Sequence, residues 1–198
     1  MTNPIKIGIT GGIGSGKTTV SKVFELLGVE VFSSDFEAKQ IMLSSPVKQQ
    51  IIELLGTESY LEDGSLSRIY LAGRVFNDKT LLNELNDIVH PAVLDVYLSS
   101  IKQSKGLYVI NEAALHVEKN TGLMDILIVV TADESDRISR VMTRDGVSKQ
   151  QVLDRMKNQT FEEERLAAAN YIIKNDGQTS IIDQVQKVHA SILNRIGS

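Results

Sequence analysis

The sequence predicts an α/β protein in three layers, a mostly parallel sheet between helices, and three observations carry that expectation. Short aliphatic or β-branched runs alternate with longer stretches of helical periodicity along the chain. The first run leads into a cluster of glycines and then into a helix, the order that opens a βα unit. Hydrophobic residues make up 42% of the 198 residues and charged ones 23%, with 14 Gly and 3 Pro, which is enough apolar content for one domain and at most a small appended lobe.

Taken in order, Ile5 to Thr10 reads as a buried strand, and Lys17 to Leu27 as a helix closed by Gly28. Phe24, Leu26 and Leu27 on that helix are expected to be core packing. Val29 to Ser33 reads as a second strand. From Asp35 to Ser104 the pattern turns helical, interrupted by Ser44-Ser45-Pro46, by Asp63-Gly64 and by Pro91. That is too much helix for a simple crossover, so a helical insertion is expected ahead of a third strand, Leu107 to Asn111. Asp125 to Thr131 suits a central parallel strand, and Asp133 to Arg144 follows as an amphipathic helix with acidic residues in its first turn and arginines toward its end. Past Gly146, Ser148-x-x-Gln151 and Thr160-x-x-Glu163 carry the capping-box signature and open two short helices, a lid-like hairpin. Tyr171 to Lys174 gives a last strand, Asn175-Asp176-Gly177 a turn, and Thr179 to Arg195 a closing helix. No internal repeat is visible.

Composition excludes several classes. The absence of cysteine removes disulfides, thiol nucleophiles and cysteine metal sites, and is permissive for the cytosol. The longest wholly aliphatic run, Ile126 to Val130, is far too short to span a bilayer, and the first ten residues lack a basic stretch followed by an apolar core. A cytoplasmic protein with no membrane partner is expected. A net charge of -4, 5% aromatic residues and no Trp argue against a nucleic-acid partner. Residues 137 to 165 nonetheless hold seven basic against five acidic side chains, a local anion-handling surface suited to a small phosphorylated ligand.

Gly11-Gly12-Ile13-Gly14-Ser15-Gly16-Lys17-Thr18 matches the phosphate-binding pattern G-x-x-x-x-G-K-[ST], in its proper place between a strand and a helix. Glycines allow backbone N–H groups to turn inward around phosphate oxygens, Lys17 reaches the β and γ phosphates, and the Thr18 hydroxyl ligates Mg²⁺. Gly12, Ile13, Gly14, Ser15, Gly16, Lys17, Thr18 and Thr19 are therefore candidate ATP-binding residues, with Thr18 the candidate metal ligand. The fold class narrows to the P-loop NTPases. Switches, motors, DNA-handling ATPases and small-molecule kinases all use such a loop. The D-x-x-G and N-K-x-D strings of a GTPase are both missing.

Two carboxylates are candidates for the rest of the chemistry. Glu112 follows the third strand and is either a residue that orients a magnesium-bound water or a solvated or structurally paired loop glutamate. Asp35 lies just beyond the second strand, where strand ends of a parallel sheet converge on the same crevice as the loop. It either accepts the proton of an attacking hydroxyl or, with Ser34, caps a helix.

In these motifs the chain resembles the dephospho-CoA kinase family, enzymes that phosphorylate the ribose 3′-hydroxyl of dephospho-CoA in the last step of coenzyme A synthesis. Ile9 to Val20 is similar to the family's loop nearly letter for letter, and Asp35 with Ala38 and Lys39 resembles its D-x-x-A-R, whose aspartate is taken as the catalytic base. His90-Pro91, Arg140, Arg144-Asp145, Arg155, Gln159 and Asn175-Asp176-Gly177 follow in the family's order and spacing. The resemblance implies ATP with Mg²⁺ and dephospho-CoA as ligands. It implies Asp35 and Lys17 as catalytic residues, Arg140, Arg144 and Asn175 as ATP contacts, and Asp35, Lys39 and His90 on the acceptor side. Lys39 stands where the family usually has arginine and lacks its planar fork. Ala114 to Glu118 lacks the family's proline, and Asn170 replaces a common aspartate. His116 and His189 have no metal-ligand partners at useful spacing.

The expected organisation is a nucleotide-binding core of residues 1–34, 106–142 and 169–198, a helical acceptor lobe at 35–105 and a lid at 143–168. Alternatives are another small-molecule P-loop kinase, of the nucleoside monophosphate or shikimate type, and a non-catalytic nucleotide-binding regulator.

Overall fold

Five strands form where the aliphatic runs lie: β1 (Ile5–Thr10), β2 (Glu30–Ser33), β3 (Tyr108–Glu112), β4 (Ile126–Thr131) and β5 (Tyr171–Lys174). In the computed structural model, described for residues 4–75, 78–113 and 124–197, they make one sheet in the order β2-β3-β1-β4-β5, and every neighbouring pair is parallel. A sheet joined only by crossovers must be covered on both faces, which is why its central strands read as unbroken aliphatic runs. β3 is buried along its whole length.

The chain divides into two compact units, one made of residues up to Ser33 together with those from Ser104 onward, the other of Ser34–Gln103. In the first unit, α1 (Lys17–Leu26) and the closing helix Ile181–Ile196 supply apolar stripes to the sheet. Val20 and Phe24 pack with Ile7, Ile9, Ile110 and Ile128, and with Val185, Val188 and Ile192. Leu26 is not part of this core and is 86% exposed. Helical spacing explains the correction: 20 and 24 share one face, and 26 lies about 160° away from 24, on the side facing water.

The second unit holds α2 (Ser34–Ile41), α3 (Ser45–Leu55), a 3₁₀ turn (Thr57–Ser59), α4 (Arg68–Val75) and α5 (Lys79–Gln103). Ile41, Val47, Ile51, Leu55, Tyr60, Leu71, Leu85 and Val89 form its core. Tyr60 and Tyr70 donate their hydroxyls to the carbonyls of Met42 and Leu55, at 2.6 and 2.7 Å, and so satisfy carbonyls at two helix ends. Contrary to the expectation from sequence, Pro91 neither breaks nor starts a helix: α5 runs through it. Proline supplies no N–H to the carbonyl of Asp87. The helix continues because Leu85 and Val89 before the proline, and Ala92 and Val93 after it, pack on the same core.

Returning to the first unit, α6 (Glu134–Asp145), α7 (Lys149–Lys157) and α8 (Glu162–Ala168) lie between β4 and β5, and α9 (Ile181–Ile196) closes the chain. The expected box at Ser148 is complete, with the Gln151 N–H donating to the Ser148 hydroxyl and the Ser148 N–H to the Gln151 side chain. The box expected at Thr160 does not form. α8 starts at Glu162 with Phe161 as its N-cap and no side-chain cap. The helix thus begins one residue later than the Thr160 signature places it, and Glu162 at its first position reaches Thr131 and Arg137. Among the described residues no helix is long and apolar enough to cross a membrane.

Candidate active site

β1 ends at Thr10 in the middle of the sheet, and residues 11–16 carry the chain to α1. Gly14 and Gly16 adopt φ values of 79° and 97°, a left-handed backbone open to glycine and strained for other residues, which is why the loop has glycine there. Gly16 is the N-cap of α1 without a side-chain partner, so the first turn of the helix presents its orphan N–H groups and positive end at the loop. Lys17, the first helical residue, folds back and donates from Nζ to the Gly11 carbonyl at 2.9 Å.

Thr18 and Glu112 come together here. The Thr18 hydroxyl donates to Glu112 Oε1 at 2.9 Å. Glu112 is buried, and lies in register with Ile9 of β1 on one side and Ser33 of β2 on the other. It is therefore a paired carboxylate at the carboxyl edge of the sheet and not a solvated loop residue. Thr19 is exposed on α1.

The outside of the loop is held by side chains from distant parts of the first unit. Gln159 Oε1 accepts from the Ile13 N–H at 2.9 Å, and Arg137 Nε donates to the Ile13 carbonyl at 3.1 Å. Arg140 donates to the Gly14 carbonyl at 3.4 Å and to the Asn175 carbonyl at 3.0 Å. Asn175 Nδ2 donates to the Ser15 carbonyl at 2.8 Å. Arg140 and Asn175 are thus brought to the loop. Arg144, one turn beyond Arg140, is directed elsewhere: it pairs with Asp145 at 2.7 Å, and Arg155 joins the same carboxylate at 2.8 Å.

These hydrogen bonds, from Arg144 first and Arg155 second, hold the Asp145 carboxyl down to about 2. A carboxyl with a lower pKa in the folded than in the unfolded chain stabilises the fold above its unfolded value, and that contribution is lost as pH falls through the folded one. The triad is therefore intact at neutral pH and fails only between about pH 4 and pH 2. Because the pairs are largely solvent-exposed, Asp145→Asn should lower Tm at pH 7 by only about 1–3 °C. Thermal melts should show that difference shrinking from pH 4 to pH 2; a constant difference would mean that the triad is not its source.

Asp35 and Lys39 lie one turn apart on α2, both exposed. The helix starts at Ser34, so Asp35 sits inside its first turn, two residues beyond the end of β2. His90 is exposed in the middle of α5 and does not precede a helix start. His189 Nδ1 is hydrogen-bonded to the Tyr108 hydroxyl at 2.5 Å, tying the last helix to β3. Burial pushes the Tyr108 phenol well above its ordinary value, so it stays protonated. Asn170 bridges to β4, its Oδ1 accepting from the Leu127 N–H at 2.7 Å. Residues 114–118, including His116, lie outside the described residues.

Three residues that build this site were not singled out as site residues from sequence: Arg137, Glu162 and Gln159. Arg137 is buried and forms an ion pair with Glu162 at 2.7 Å. The available signal was an arginine beside Ile138 and Val141 on the apolar face of α6, a place where a cation must have a partner.

The model of the dephospho-CoA kinase family matches residues 5–180 of the chain. A dephospho-CoA kinase of Salinibacter ruber is 42% identical over 86% of this chain and 88% of its own length. One of Bacteroides fragilis is 34% identical, over 97% of this chain and 95% of its own. A crystal structure of a Thermus thermophilus protein shares 31% identity and a TM-score of 0.87, covering 97% of this chain and 99% of that one. With a phosphate-binding loop at the carboxyl edge of a five-stranded parallel sheet, and with this match over nearly its whole length, the chain belongs to the dephospho-CoA kinase family.

Proposed function

We propose that the chain transfers the γ-phosphoryl group of ATP to the ribose 3′-hydroxyl of dephospho-CoA, the reaction of its family and the final step of coenzyme A biosynthesis. The observation that carries this reading is the family match across residues 5–180, which spans the loop, both units and the segment of α6 to α8. Other small-molecule kinases share the loop, and a regulator without turnover would share the fold; the family match favours neither.

The roles follow from chemistry. The loop N–H groups, the N-terminal end of α1 and Lys17 neutralise phosphate charge, which grows on the bridging and transferred oxygens as the phosphoryl group moves. Arg140, already at the loop, adds a cation with a planar fork suited to phosphate oxygens. Asp35 receives the proton of the 3′-hydroxyl, supported by its place just past β2 and by the motif it shares with the family. The Ser34–Gln103 unit takes the acceptor, with Lys39 and His90 on that side, and the segment around α7 and α8 serves as the lid that excludes water.

Magnesium fits the residues present. Thr18 and Glu112 place a hydroxyl and a carboxylate oxygen 2.9 Å apart, hard donors of the kind Mg²⁺ takes together with substrate phosphates and water. Among the described residues no group of three or more His, Cys, Asp or Glu could hold an ion alone, so it would arrive with the nucleotide. When bound, Mg²⁺ supplies charge neutralisation on the β and γ phosphates. Thr18 would ligate it, and Glu112 would orient its water.

Purified protein incubated with ATP, Mg²⁺ and dephospho-CoA should yield coenzyme A, detected by mass. Product from shikimate or a nucleoside monophosphate, and none from dephospho-CoA, would overturn the assignment.

A further inference from the structure

We infer that Gln159 and Arg137 are positioning residues that hold the phosphate-binding loop in its anion-binding shape and fasten it to the lid. This rests on the reading of that loop as the ATP site. One loop residue is held through both of its backbone groups and its side chain. Ile13 gives its N–H to Gln159 and its carbonyl to Arg137, and its side chain packs on the cluster of Ile138, Val141 and Val152, where α6 and α7 meet.

The consequence follows from peptide geometry. In a trans peptide the C=O and the next N–H point in opposite directions, and no cis bond occurs among the described residues. Turning the Ile13 carbonyl outward to Arg137 therefore turns the Gly14 N–H inward. Asn175 does the same for the Gly16 N–H by holding the Ser15 carbonyl. The Ser15 N–H between them closes a turn on the Gly12 carbonyl at 3.0 Å. What remains facing the helix end is a set of N–H groups fixed before any phosphate arrives, the preorganisation that phosphate recognition requires.

Arg137 fits only because of the glycine beside it. A Cβ on Gly12 would stand 2.2 Å from an Arg137 guanidinium nitrogen, and one on Gly14 would stand 2.4 Å from the Arg137 carbonyl. Glu162 holds the other side of the guanidinium and is itself hydrogen-bonded to Thr131 at the end of β4. Gln159 lies between α7 and α8, so the root of the lid and the loop share a hydrogen bond.

Truncating buried Arg137 would strand Glu162 and risk unfolding the chain, so the test uses Gln159→Ala, which removes the acceptor, and Gly12→Ala, which displaces the guanidinium from the loop side. Affinities for ADP and AMP are measured by calorimetry on folded full-length protein. The β-phosphate is the group the loop amides hold, so each variant should weaken ADP about tenfold and AMP less than twofold, with Tm near wild type for Gln159→Ala and lowered for Gly12→Ala, whose Cβ presses on the buried Arg137–Glu162 pair. The double variant should lose less than the product of the single losses, because both act on the same residue. Equal weakening of ADP and AMP in both variants, or ADP affinity within twofold of wild type in both, would overturn the inference. Should the wild type bind ADP yet form no coenzyme A, the acceptor assignment fails while the ADP-to-AMP ratio still decides the role of Gln159 and Arg137.

Discussion

Replacing Lys17 by alanine should raise the dissociation constant for ATP and lower turnover together, with a combined loss in kcat/KM of about 10² or more, worth about 2.7 kcal/mol or more. The ammonium is a point charge at the start of α1, within reach of the loop, and pairs with the Gly11 carbonyl at 2.9 Å. A phosphate oxygen is a stronger partner than a neutral carbonyl, so the ammonium moves onto the nucleotide when it binds. In the proposed role it would touch the phosphates in the ground state and in the transition state alike. Interactions of that kind show in KM, and whatever part strengthens as charge migrates shows in kcat. Fluorescent-nucleotide titration and steady-state kinetics separate the two. A variant with unchanged ATP affinity would mean that the loop amides and Arg140 carry the phosphates without it. The Lys17 side chain is only half-buried but its partner Gly11 is buried, so losing this donor should also cost some stability, which thermal melts of the variant measure.

Much of this architecture was legible in the sequence because its signals are local. The strands appear as aliphatic runs because they are covered on both faces, and their observed ends differ from the expected ones by at most one residue. The glycine loop with Lys17 and Thr18 was readable for the same reason, since its motif is one contiguous segment between a strand and a helix. Of the side chains that hold that segment, Arg140 and Asn175 were named from the resemblance, whereas Arg137 and Glu162 were not and Gln159 was given no role. Gln159 and Ile13 are separated by 146 residues, and nothing in either neighbourhood signals the other. Arg137 belongs to the stretch read as an anion-handling surface, and folding buries it beside Ile138. Arg140 and Arg144 share a helical spacing, yet only Arg140 is directed at the loop, because Asp145, which also accepts from Arg155, holds Arg144. Pro91 misled for a different reason: a rule about local backbone was outweighed by apolar burial on both sides of it.

The two arginines on α6 that do reach the loop divide their work. Arg137 is enclosed, its side chain 5% exposed and its charge matched by Glu162, so its cation is already compensated. Arg140 is 36% exposed, and its acidic neighbour Asp136 stands 3.7 Å away, a loose pair that leaves much of its field for an incoming anion.

Asp35→Asn should leave KM for ATP within a few-fold of wild type and cut kcat by about 10² or more. The substitution keeps the size of the side chain and its hydrogen-bonding reach, so a role confined to the first turn of α2 would be largely preserved. That structural role is worth little, since an exposed acidic residue near a helix N-terminus contributes about 0.3–1 kcal/mol. Asp35 does not belong to the loop that holds the nucleotide, which is why ATP affinity should survive. What the amide cannot do is accept the proton that the 3′-hydroxyl must lose as it attacks the γ-phosphorus. Single-turnover measurements with saturating ATP and dephospho-CoA isolate that step from product release. Near wild-type rates for the variant across neutral pH would reduce Asp35 to a partner of the helix dipole, with the proton leaving through a phosphate oxygen or a water.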